Sequence, residues 1–119
     1  MTQITGIVHF TFRPGQAGRF EELSRQAREI VLNDEPGTTR YDVFMAPDRG
    51  SAVVVEEFVD VAAALAHQDS IGEELNRALV DTASDVHGEL LGELPPELVA
   101  QLADSTARPY LTVFRTWRA

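Results

Sequence analysis

A chain of 119 residues with 44% hydrophobic content is long enough to bury a core as one domain, and too apolar to remain disordered. Its net charge of −9, from 10 basic and 19 acidic residues scattered without runs, argues against a nucleic-acid or anionic-membrane partner. The sequence contains no Cys and no Lys, which excludes disulfides, thiolate nucleophiles, thiolate metal sites and Schiff-base chemistry.

The N-terminal "MTQITGIVHFTF" lacks a basic stretch followed by an apolar one, so no signal peptide is expected. No segment is apolar over the length of a membrane span, and a cytoplasmic protein is the expectation. The first strand is read at 4–12, with Val8, Phe10 and Phe12 on one face and Ile7, His9 and Thr11 on the other. "RPGQAG" breaks it, and Phe20, Leu23, Ala27, Ile30 and Val31 then recur at helical spacing up to "NDEPG".

"TTRYDVFMA" (38–46) and "SAVVVEEFV" (51–59), joined by "PDRG", read as a hairpin. Asp60 is placed to cap a short helix, 61–67, and Ser70 with Glu73 resembles a capping box opening a longer one. Between 84 and 108 the only element read is a helix in "PPELVAQLA", started by proline, so this region is expected to be a helical excursion. "PYLTVFRTWR" (109–118) then supplies the fourth strand.

These elements predict an α+β fold: a ferredoxin-like, four-stranded antiparallel sheet with helices on one face. Its strands carry large apolar residues on both faces, but one helical layer covers only one. A homodimer packed sheet against sheet is therefore expected, unless 84–108 wraps the second face.

"FRPG" (12–15), Phe20, "EPGTTRYDVF" (35–44) and "EEFVDVAAALAHQDS" (56–70), in that order, resemble the antibiotic biosynthesis monooxygenase family of dimeric α+β barrel proteins. The resemblance covers residues 4–80 and, less clearly, the last strand. It implies a dimer with facing sheets and a cavity in each subunit between sheet and helices. The activity it implies is oxygenation of a phenolic, anthrone or quinol-like small aromatic molecule with no cofactor. A non-catalytic ligand-binding module is the alternative. The haem-degrading relatives imply an axial histidine in the second long helix, where this chain reads "EELNRAL".

Two histidines are candidate catalytic bases. His67 ends the "A-x-x-x-H" stretch, where a neutral imidazole could take a proton from substrate or, alternatively, interact with the last carbonyls of its helix. His9 is either a cavity base or an interface residue, according to which way its face turns. Tyr41, Phe44, Phe58 and Trp117 are candidate walls of a flat aromatic pocket, with Asn76 a polar contact on the second long helix. Arg115 is an interface or anion-binding candidate. The histidines are far apart in sequence and nothing like H-E-x-x-H occurs, so no metal is expected.

Overall fold

Alternate residues of the first strand turn toward the helices, and this parity organises the molecule. The protein is described by a computed structural model covering residues 3–116 and 118. In chain order it contains β1 (Ile4–Phe12), α1 (Ala17–Asp34), β2 (Thr38–Met45), β3 (Ser51–Phe58), α2 (Val61–Asp81), β4 (Ala83–Gly92), α3 (Pro96–Leu102) and β5 (Ala107–Leu111). The sheet runs β2-β3-β1-β4-β5, antiparallel throughout except for the parallel β4–β5 pair. The first four strands and two helices form the ferredoxin-like unit expected.

Phe10 and Phe12 meet the fully buried Phe20 of α1, with ring centroids 4.8 and 4.9 Å apart. Leu23, Ala52, Val54, Leu79 and Ala83 complete this core. Burying one such aromatic side chain contributes about 1.5–3 kcal/mol. A second cluster, Ile4, Phe58 and Leu94, is covered by Val61, Ala63 and Ala64 of α2 and by Leu98, Val99 and Leu102 of α3. All three helices thus lie on one side.

The other face carries three cross-strand rows. From β2 to β4 these are Phe44–Val53–His9–His87, Asp42–Val55–Ile7–Glu89, and Arg40–Glu57–Thr5–Leu91. Segment 84–108 does not wrap this face: its helix α3 packs beside α2. Ile7, Phe44, Val53, Val55 and Leu91 are the apolar side chains of these rows; Phe44 is exposed and the other four are partly buried, interleaved with Arg40, Asp42, Glu57 and Glu89.

Three expectations need correction. The fourth strand of the ferredoxin-like unit is β4, inside the stretch expected to be helical. Strand 109–118 is instead the shorter β5, a fifth strand parallel to β4. "ASDVHGELLG" conceals a strand because its outward positions are Asp85, His87 and Glu89, and its inward Gly88 sits where a Cβ would lie 2.6 Å from the Ile7 carbonyl oxygen. Finally, α2 continues past His67 and Ser70 and breaks at Gly72, whose φ of 81° favours glycine. The Asp60 cap is as expected, its carboxylate accepting from the Ala63 N–H at 2.8 Å.

Candidate active site

Three segments converge on one buried polar cluster. Glu35 is the C-cap of α1, Glu56 lies on the helix-facing side of β3, and His67 occupies the second turn of α2. His67 Nδ1 is 2.6 Å from Glu35 Oε1, and His67 Nε2 is 2.9 Å from Glu56 Oε2. The side chains are 12% exposed for His67, 3% for Glu35 and 12% for Glu56, so these ion pairs are shielded from water. Glu35 Oε1 also accepts from the Thr38 hydroxyl at 2.8 Å. Its other oxygen, Oε2, is buried without a hydrogen-bond partner among the described residues.

The local sequence explains the convergence. After α1, "EPGT" turns through a Thr38 N–H to Glu35 carbonyl bond of 3.1 Å, which holds Glu35 over the sheet. Gly37 then runs against the first turn of α2, so closely that a Cβ there would lie 2.7 Å from Ala63 Cβ. Tyr41 is directly opposite Glu56 in the β2–β3 register. Its ring lies 5.8 Å from that of His67, and Phe58 lies 5.4 Å from it on another side.

Burial opposes a charge on His67, but the hydrogen bonds and negative charges of Glu56 and Glu35 together outweigh it and raise the imidazole above its ordinary value. Burial, reinforced by the charges of Glu56 and Glu35, pushes the Tyr41 phenol well above the usual tyrosine range. The phenol therefore stays neutral. The imidazole is a stronger base than a free one, because both of its N–H groups find an acceptor once it is protonated.

Beside the cluster, α1 and β2 enclose a groove of about 620 Å³, lined by Glu21, Ser24, Arg25, Arg28 and residues Tyr41 to Met45. Tyr41 belongs to both the groove and the His67 cluster. Such a volume suits a small organic molecule.

The sequence-derived candidates separate into groups. His67, Tyr41 and Phe58 come together, although Phe58 is also core. His67 does not end its helix or meet terminal carbonyls. Phe44 lines the groove from the far side of β2 and is 51% exposed. His9 lies on the face away from the helices, 3.1 Å from Glu89 through Nε2 and stacked on His87. Asn76 is exposed on α2, outside the groove. Arg115 donates to the Gln3 side-chain oxygen at 3.3 Å. Trp117 lies outside the described residues.

Glu35 and Glu56 were missed as site residues. Glu56 carried a signal, a carboxylate between Val54 and Phe58 on an otherwise apolar face. Glu35, beside a proline-glycine turn, reads like an ordinary surface acid.

The profile of the antibiotic biosynthesis monooxygenase family matches residues 4–81. The chain belongs to that family. Every residue of the buried cluster lies within the matched span. Among solved structures, this antibiotic biosynthesis monooxygenase family member is similar to MupZ from Pseudomonas fluorescens, with 21% identity and a TM-score of 0.83 over 99% of this chain and 96% of that one. It is also similar to PA3566 from Pseudomonas aeruginosa, with 23% identity and a TM-score of 0.66 over 80% and 97% of the two chains. SnoaB from Streptomyces nogalater, a cofactor-independent oxygenase solved as a single-site variant, gives 19% identity and a TM-score of 0.65 over 76% and 91%. These likenesses establish a shared fold. No curated protein matches the chain. No helix among the described residues is long and apolar enough to cross a membrane.

Proposed function

We propose that this family member is a cofactor-independent monooxygenase that oxidises an electron-rich aromatic, of the quinol or anthrone type, with molecular oxygen. The observation that carries this reading is His67 held between two buried carboxylates, with Tyr41 forming a wall shared with the groove. An anthrone-like substrate in the groove gives up its proton to the His67–Glu35–Glu56 cluster behind Tyr41, and the two carboxylates stabilise the resulting imidazolium. The substrate anion passes one electron to oxygen. The radical pair combines to a hydroperoxide, which loses water and leaves a carbonyl. Substrate loses two hydrogens and gains one oxygen, and the second oxygen atom leaves as water.

The working form is a homodimer with the uncovered sheet faces opposed. Five apolar side chains on that face support it, as do Leu111, Val113 and Phe114, which are exposed at the C-terminal end. Oxygen uptake with an anthrone or a hydroquinone tests the activity. His67→Ala is expected to lower the rate about 10²–10⁴-fold, the usual worth of a positioned base. An unchanged rate in that variant removes base catalysis by His67.

One observation favours a second reading. His67 touches the groove only through Tyr41, an arrangement compatible with a module that binds an aromatic ligand without turning it over. Saturable binding with no oxygen uptake would select it.

A further inference from the structure

On the uncovered sheet face, the antiparallel register sets His9 of β1 directly opposite His87 of β4. Their rings stack with centroids 4.6 Å apart and planes 11° from parallel. Glu89, two residues along β4 and on the same face, reaches His9 Nε2 at 3.1 Å. One donor atom from each of His9, His87 and Glu89 lies within 4.8 Å of the others. Ligands about 2.0–2.2 Å from a shared ion are themselves roughly 3–4 Å apart, so small side-chain rotations would close the set.

From this arrangement the geometry points to a divalent metal site of the zinc, cobalt or nickel type, held by His9, His87 and Glu89 with one position left to water. Two imidazoles and a carboxylate suit these borderline cations better than calcium or magnesium, which prefer oxygen. A further feature belongs to a built site. His87 Nδ1 lies 2.8 Å from Asp85 Oδ2, so a carboxylate fixes this ring and leaves Nε2 as the ligating nitrogen. Carboxylates placed behind metal-bound imidazoles in this way orient the ring and make it more basic. The helices lie on the opposite side of the sheet, and the site lies on the face that the proposed homodimer brings against a second copy, so an ion held here would sit between the two sheets. The site shares no residue with the His67 cluster, and its test is independent of catalysis.

The experiment is titration of the untagged full-length protein with Co²⁺ followed by visible absorption, and with Zn²⁺ by calorimetry. Saturation at one ion per chain is expected, with Co²⁺ bands of a low-coordinate nitrogen–oxygen site. His9→Ala and His87→Ala should each abolish the bands, while Glu73→Gln, at an exposed carboxylate of α2, keeps them. Asp85→Asn should weaken binding about 10–100-fold. Since His87 is exposed, its variant is expected to fold, and far-UV circular dichroism checks this. Absence of saturable binding in the parent protein, or equal binding in the His87→Ala variant, overturns the assignment.

Discussion

His67 Nδ1 and Glu35 Oε1 stand 2.6 Å apart across the junction of two helices that the sequence separates by two strands. A contact so short and so buried makes His67 part of the folded structure as well as of any chemistry. His67→Asn is expected to destabilise the protein by about 3–5 kcal/mol, the range for removing one partner from a buried ion pair. Urea unfolding of the two proteins at pH 6 measures it, and a loss below 1 kcal/mol would contradict the ion-pair description.

The same pair sets a pH dependence. The imidazole is raised above its unfolded value of about 6.5, so its contribution is fully present below that pH and is lost as pH rises through the folded value. The stability advantage of the parent over His67→Asn should therefore shrink as pH rises above about 6.5. A constant difference above that pH would show that His67 does not carry the charge assigned to it.

If neutral His67 is the base, kcat/KM should climb with pH along a limb governed by the folded value of His67. Glu56→Gln removes the hydrogen bond and charge that contribute most to raising the imidazole, so the limb should move to lower pH. Rate profiles of both proteins on one anthrone substrate decide the point. A limb that stays in place would assign the titration to another group.

Gly37 is where the α1–β2 turn meets α2. With Ala63 Cβ only 2.7 Å from a Cβ at this position, Gly37→Ala should cost about 1–3 kcal/mol by overpacking. Adding Ala63→Gly relieves the clash, so the double variant should be more stable than the sum of the single changes predicts. Additive losses would place the strain elsewhere.

On the uncovered sheet face, Val55→Glu sets a second carboxylate beside Asp42 in the row that also holds Ile7. Light scattering should then report a particle of 13.1 kDa in place of a dimer of the parent. A parent protein that scatters as a monomer at micromolar concentration would refute the sheet-to-sheet assembly.

Much of this architecture was readable beforehand because β1, α1, β2 and β3 advertise themselves by period. Phe10 and Phe12 alternate with His9 and Thr11, and Phe20, Leu23 and Ala27 follow a helical stripe. β4 gave no such signal: its outward positions hold polar side chains, and Gly88 leaves a gap in the inward row. The last strand was misread because an alternating apolar pattern, Leu111, Val113 and Trp117, continues beyond the five residues that find a partner strand. At the candidate site, His67 stood out as a rare residue type. Glu35 did not, since nothing local distinguishes a carboxylate that will be buried from one of the many that stay in solvent. The meeting of His9 with His87 depends on strand register, which no local motif encodes.

The brevity of β5 shapes how copies of this molecule can join. Its five residues include Pro109, which offers no amide hydrogen to a newcomer. Lateral growth of the sheet into a filament is discouraged at that border, because an added strand would find no complete row of donors there.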